Sequence, residues 1–180
     1  MSTTTRPEVL LIGGRSGVGK TTAAVALHDL LAGAGVRHVV IEGDFLDLAW
    51  PPPHQEHPEA QLAARNLAAV WANTRALGHH RLVFTNTVSV LEAAVLADAI
   101  GEDPLVTAVL LRAGDDVVAD RLGRRAGGAA ALDEIRHSAE TARHLDHAVA
   151  DDVVRFETDG RTPADIAQDL GRLIGWLALD

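Results

Sequence analysis

The chain contains no cysteine and no tyrosine, and only one of its sixteen basic residues is a lysine. Without cysteine, neither disulfides nor thiolate-bound zinc can contribute to the fold. That composition suits a reducing compartment, and a cytoplasmic location is the expectation. The opening residues 1–7 are polar and lack the apolar core of a secretory leader. No apolar run approaches the length of a membrane span, so no membrane partner is expected. Basic residues are in deficit overall. A net charge of −9 and a pI near 5.4 argue against nucleic acid as the main partner. A local basic pocket for a phosphorylated nucleotide is compatible with that balance. With 180 residues and 47% hydrophobic content, the chain is long and apolar enough for one α/β domain with a sizeable core.

The single lysine is Lys20, within Gly14-Arg15-Ser16-Gly17-Val18-Gly19-Lys20-Thr21, which matches the phosphate-binding pattern G-x-x-x-x-G-K-[ST]. The pattern carries weight only between a buried strand and a helix. Residues 8–12 form a short apolar, β-branched run that reads as a strand buried on both faces. Residues 21–31 are rich in Ala and Leu, with Ala24, Leu27 and Leu31 at helical spacing, and Gly33 and Gly35 follow as a stop. The glycines let backbone N–H groups curl around phosphate oxygens, and the helix N-terminus adds partial positive charge. Residues 14–22, including Thr22, are therefore the candidate nucleotide-binding run. Lys20 is expected on the β- and γ-phosphates of ATP, and the Thr21 hydroxyl on Mg²⁺. A glycine-rich turn with a chance lysine is the bland alternative.

Strand-like and helix-like runs alternate, which predicts a parallel sheet with covering helices. Further strands are expected at 38–41, 81–84, 105–111 and 153–156. Helices are expected at 58–77, 91–100, 116–125, 132–145 and 163–177, the last with Pro163 in its first turn. In the 58–77 helix, Leu62, Leu67, Val70 and Leu77 are the expected core contacts. Residues 50–58 hold four prolines and read as a stiff loop, and glycines interrupt helix between 126 and 131. No internal repeat or linker is visible, so one domain over 1–180 is expected.

A GTPase reads guanine with an N-K-x-D element, which a chain whose one lysine is Lys20 cannot supply. The chain is also too short to add the helical domain of the larger ring-forming ATPases. What remains is the small-kinase group of P-loop proteins, and several stretches resemble it. The run from Asp116 to Arg125, DVVADRLGRR, resembles the lid-edge helix of adenylate-type kinases. Val40-Ile41-Glu42-Gly43-Asp44 is similar to the strand-ending G-D of adenylylsulfate kinases. Size and layout resemble chloramphenicol phosphotransferase and the tunicamycin-resistance proteins. The resemblance implies a three-layer α/β sandwich whose mostly parallel sheet has the order 2-3-1-4-5, with a small lid near 112–131. It implies an ATP- and Mg²⁺-dependent phosphotransferase acting on a hydroxyl of a nucleotide, adenylylsulfate or antibiotic-like small molecule. A P-loop ATPase or regulatory module without a small acceptor is the alternative, and a kinase of sugar nucleotides in the manner of the zeta-type toxins is a third reading.

By that resemblance, Asp44 would contact the acceptor hydroxyl, as befits an acid at the carboxyl end of a strand. Capping of a short helix by Asp44 is the alternative, and Asp47 is a weaker substitute. Arg121 and Arg125 lie four residues apart and can share a helix face. Arg121 would stack on adenine or touch phosphate, and Arg124 or Arg125 would neutralise the transferring group, unless they simply form a solvated helix end. The catalytic candidates are thus Lys20, Asp44, Arg121 and Arg125. Arg15 is expected to face nucleotide or acceptor, and residues 158–163 to hold the adenine edge. Thr85-Asn86-Thr87 offers no acid where a second carboxylate near magnesium is often found, and Glu92 is a remote substitute. Trp50 and Trp71 could wall the acceptor or belong to the core, and the 50–58 loop is the expected specificity element. His54 with His57, and His144 with His147, lack a third ligand at a recognisable spacing and read as solvated.

Overall fold

The computed structural model describes residues 5–125 and 128–177. Its centre is a five-stranded, all-parallel sheet in the order β2-β3-β1-β4-β5. The strands are β1 (Glu8–Gly13), β2 (Val39–Glu42), β3 (Arg81–Thr85), β4 (Leu105–Arg112) and β5 (Val154–Glu157). The helices are α1 (Lys20–Gly33), α2 (Pro53–Glu56), α3 (Leu62–Ala76), α4 (Ala93–Ile100), α5 (Asp115–Arg125), α6 (Ala129–Ala148) and α7 (Pro163–Leu173). The expected strand order is the observed one. No helix among the described residues is long and apolar enough to cross a membrane.

The period of two in β1 divides the core between the sheet faces. Leu10 and Ile12 pack with Leu27 and Leu31 of α1 and Ile166 and Leu170 of α7. Val9 and Leu11 pack on the other face with Leu67 and Trp71 of α3 and Leu96 and Ile100 of α4. A run that is apolar at every position therefore serves two layers, as a central parallel strand requires. Parallel register brings Ile12, Thr85 and Glu42 to the same level at the carboxyl edge of the sheet. Chemistry-bearing loops leave from that edge.

Several boundaries differ from expectation for local reasons. Residues 50–58 are not plain loop, because the prolines seed the one-turn helix α2 and a 3₁₀ turn at Pro58–Ala60. Gln61 then takes a left-handed conformation, so α3 starts at Leu62 rather than at residue 58. In α3 the core contacts are Leu67 and Trp71, one turn apart, whereas Val70 and Leu77 are exposed. Of the two tryptophans that could wall an acceptor or belong to the core, Trp71 is core and Trp50 is 90% exposed. Ala129 to Ala131 already belong to α6, and Ala126 and Gly127 of the expected interruption lie outside the described residues. The closing helix stops at Leu173 because Gly175 adopts a left-handed turn. Trp176 folds back and donates its indole N–H to Glu8 Oε2 at 2.6 Å, locking the end of the described chain onto the start of β1.

Leu27 is fully buried where α1 meets the sheet and α7. Leu27→Ala is expected to lower unfolding free energy by about 2–5 kcal/mol in urea titrations, the range for a buried leucine whose cavity cannot collapse. A loss below about 1 kcal/mol would show that this interface is not tightly packed.

Candidate active site

β1 delivers the chain to Gly14, whose φ of 142° suits glycine. A side chain there would also meet the Leu111 carbonyl oxygen at 2.8 Å, so the turn can lie tight against β4 only without one. The loop then closes on α1, with Gly19 in a left-handed conformation just before Lys20. The Lys20 side chain curls back under the loop. Its ammonium donates to the carbonyls of Gly14 at 2.9 Å and Arg15 at 3.4 Å, and to Thr87 Oγ1 at 3.3 Å. Burial lowers its pKa, opposed by the nearby charges of Asp44 and Glu42, with Arg125 lowering it further. The ammonium is buried and contacts no carboxylate, so it is poised for an anion.

Two carboxylates from the end of β2 face this ammonium across the sheet edge. Glu42 Oε2 accepts a 2.7 Å hydrogen bond from Thr21 Oγ1, while its Oε1 is buried without a partner. Glu42 lies in the strand-ending run Val40–Asp44, where no role is expected for it from sequence. The signal available was its position directly before Gly43-Asp44, at the end of a strand leading to the ligand edge. Asp44 lies in the 3₁₀ turn Gly43–Phe45 and makes no capping hydrogen bond. Its Oδ1 instead accepts from Asn86 Nδ2 at 2.9 Å, and Asn86 Oδ1 accepts from the Val88 N–H at 2.9 Å. Gly43 is required for this placement. A Cβ there would lie 2.4 Å from the Phe84 ring and 2.8 Å from the Thr85 carbonyl oxygen. The acid-free Thr85-Asn86-Thr87 stretch thus positions rather than charges the site: Asn86 holds Asp44 and Thr87 holds Lys20.

The Arg15 side chain turns to α5 and α6. Its guanidinium is buried, with Nε donating to Ser138 Oγ at 2.8 Å and Nη1 paired with Asp115. Ser138 Oγ donates to the Ser16 carbonyl at 2.8 Å, and Ser16 Oγ donates to Glu134 Oε1 at 2.9 Å. These contacts fasten the outer side of the phosphate loop to α5 and α6. Their partners lie a hundred or more residues away in sequence, so no local pattern signals them.

On the other side of the loop is a cavity of about 300 Å³, lined by Gly17, Gly19 and Thr22 together with Arg121, Arg125 and Thr158. Arg161 and Pro163, from the expected adenine edge, line it too. Arg121 Nη1 donates to the Val18 carbonyl at 3.0 Å and sits 3.4 Å from that of Gly17. Arg124 instead pairs with Asp120 at 2.7 Å, so Arg125 is the one of the two that joins Arg121 and Arg161 in the cavity. Glu92 and Asp47 line a different cavity and stand apart from the phosphate loop's hydrogen bonds. Among the described residues no group of three or more His, Asp or Glu side chains is arranged to hold a metal ion.

The depressed pKa of Lys20 has a measurable consequence for the ligand-free protein. The folded state binds this proton less tightly than the unfolded chain, whose ordinary value is 10.5. Stability should therefore rise with pH from the folded-state pKa up to about 10.5, because the unfolded chain binds more protons there. Lys20→Met should flatten that part of a pH series of denaturant titrations. An unchanged slope would mean that burial does not destabilise the ammonium.

Residues 10–143, from β1 through most of α6, match the family model described as AAA domain. No curated protein matches the sequence. Among solved structures, the tunicamycin resistance protein of Deinococcus radiodurans aligns with a TM-score of 0.60 at 19% identity, covering 94% of this chain and 96% of that one. A sugar kinase from a Janibacter species aligns at 0.62 and 20% identity, with 94% and 95% covered. The APS kinase of Mycobacterium tuberculosis, in complex with AMPPNP and APS, aligns at 0.53 and 20% identity, with 94% and 98% covered. The chain belongs to the AAA domain family and has the fold of the small P-loop kinases.

Proposed function

We propose that the protein is an ATP- and Mg²⁺-dependent phosphotransferase that moves the γ-phosphate to a hydroxyl group of a small molecule. The observation that carries this reading is the placement of Asp44. The carboxylate is exposed, fixed by Asn86, and close enough to influence the charge of the Lys20 ammonium. A phosphate-binding ammonium and an oriented carboxylate at one sheet edge are the two parts that transfer to a hydroxyl needs.

The residues present fit both groups. Lys20 is a buried cation without a contacting anion, and the loop N–H groups precede the N-terminus of α1. Arg121 and Arg125 line the adjoining cavity, where guanidinium groups can stack on a base or bind phosphate in bidentate fashion. Thr21 and Glu42 would hold Mg²⁺, since their oxygens adjoin and Glu42 Oε1 is buried without a hydrogen-bond donor. When bound, the metal neutralises phosphate charge and orients the transferring group.

Within this reading, Lys20 leaves the Gly14 and Arg15 carbonyls for phosphate oxygens and offsets charge as it develops. Asp44 accepts the proton of the attacking hydroxyl, with Asn86 keeping its second oxygen aimed at the acceptor. Arg125 neutralises the transferring phosphoryl group. Residues near 112–131 act as the lid, and the pairing of Arg15 with Asp115 ties lid position to loop position. Closure excludes water, which favours transfer over hydrolysis.

Asp44→Asn removes the proton acceptor while preserving shape and the partner of Asn86. It should lower kcat for acceptor phosphorylation by roughly 100-fold or more, with nucleotide affinity little changed. Coupled ATP-consumption assays with an acceptor panel, and Lys20→Ala as the nucleotide-binding control, measure this. Full transfer activity in Asp44→Asn would remove Asp44 from the mechanism. Failure of any acceptor to raise turnover above basal hydrolysis would favour an ATPase or regulatory module.

A further inference from the structure

The acceptor side of the site is built by residues 43–64, after β2, and 86–100, after β3. The two stretches begin at Asp44 and Asn86, which are hydrogen bonded at 2.9 Å. Further on, they enclose a cavity of about 280 Å³ lined by Asp47, Pro53, His57, Leu62, Glu92 and Leu96, among others. Its charge is one-sided. The stretches contain Asp44, Asp47, Glu56, Glu59, Glu92 and Asp98, and neither contains a lysine or an arginine. Fifteen arginines are available in the chain, and three of them line the nucleotide cavity. Arg65, just past the first stretch, lines an adjoining cavity together with Asp98 and is not among the residues lining this one. Among the described residues of the acceptor cavity, His57 alone can gain positive charge, and its Nδ1 lies 3.8 Å from Glu59.

A molecule bearing carboxylate, sulfate or phosphate would find no counter-charge in this cavity. It would also approach Asp47 and Glu92 at a cost in like-charge repulsion. An ammonium would relieve the repulsion already present. Glu92 is exposed as a residue, yet burial of part of its carboxyl, and then the charge of Asp47, raises its pKa above the ordinary range. The segment between Asp44 and the cavity adds a second chemical preference. Phe45, Leu48 and Trp50 are 71%, 72% and 90% exposed and flank in the chain Asp47, which lines the cavity. Isolated exposed apolar residues are ordinary, but three within six positions around a cavity residue point to an apolar occupant.

We infer that the acceptor is a hydroxylated molecule with an apolar, ring-bearing body and an amine, and that anionic acceptors are rejected. This rests on the phosphotransferase reading of the same site. Nucleotides and adenylylsulfate are thereby set aside as acceptors in favour of the antibiotic-like class. Asp47 and Glu92 hold the amine, Phe45, Leu48 and Trp50 cover the apolar body, and the hydroxyl reaches Asp44.

A matched series separates charge from shape: phenylalaninol (an amine), 3-phenylpropane-1,2-diol (neutral) and 3-phenyllactate (a carboxylate). Binding to the full chain with AMPPNP and Mg²⁺ at neutral pH is measured by calorimetry or ligand-observed NMR. Affinity should fall in that order, by about tenfold or more between amine and carboxylate, as expected for one charge beside two partly screened carboxylates. Asp47→Asn and Glu92→Gln should each weaken the amine severalfold and leave the neutral diol unaffected, a contrast that a merely misfolded variant would not give. The inference is overturned if the carboxylate binds as well as the amine, if none of the three binds at millimolar concentration, or if the variants weaken amine and diol alike. Phosphate transfer is assayed separately. An amine that binds in the stated order but is never phosphorylated would leave the charge assignment standing and sink the phosphotransferase reading.

Discussion

The site is organised around an ammonium removed from water and left without a contacting carboxylate. Lys20 is held by two carbonyl oxygens of its own loop and by Thr87. Neutral oxygens compensate a buried charge incompletely, which is why burial depresses its pKa. A protein selected for stability alone would place an acid beside it. Glu42 and Asp44 are near enough to act on it through space, yet their hydrogen bonds go to Thr21 and Asn86. The arrangement keeps the ammonium available and each carboxylate aimed elsewhere. The strand order makes this possible, since β3 stands between β1 and β2 and lets loops from both meet over its end.

Two further networks depend on that loop being rigid. The outer side is secured by Arg15, whose buried guanidinium reaches Ser138 and Asp115, and by Ser16, which pairs with Glu134 and Ser138. The inner side is secured by the Gly14 N–H, which donates to the Thr87 carbonyl at 3.1 Å. The first network joins the loop to the α5 and α6 helices, and the second joins it to the segment that carries Asn86. The α5–α6 side and the Asn86 side are thus connected through one loop backbone. An arginine serves the buried structural position, where several donors must be satisfied in fixed directions. In the proposed phosphotransferase, the lysine serves the position that has to move.

Much of this was legible in the sequence because it is local. The strand, glycine turn, lysine and helix from residue 8 to residue 33 are contiguous, and their apolar periodicity changes where the structure changes. Strand order was accessible through resemblance, and the pairing of Arg121 with Arg125 through helical spacing. What escaped depends on contacts between distant segments. Glu42 gained significance only when β2 was set two strands from β1 with Thr21 opposite its carboxylate. Arg15 lies within the motif, but the partners of its guanidinium, Ser138 and Asp115, lie 123 and 100 residues further on, beyond any local pattern. In α3, apolar content alone did not separate Leu67 and Trp71, which face the core, from Val70 and Leu77, which do not. The proline-rich stretch was read as loop, whereas proline at the first turn of a short helix is favourable.

In the proposed phosphotransferase, Lys20 is a cation waiting for phosphate, Thr21 with Glu42 a metal site, and Asp44 the acceptor's proton partner. A crystal structure with AMPPNP and Mg²⁺ tests all three in one density map. The ammonium should have left the Gly14 and Arg15 carbonyls for phosphate oxygens, with the Thr21 hydroxyl and Glu42 directed at the metal and Asp44 still held by Asn86. If nucleotide binds while Lys20 stays on the loop carbonyls and Thr21 stays on Glu42 without metal, the central claim is wrong.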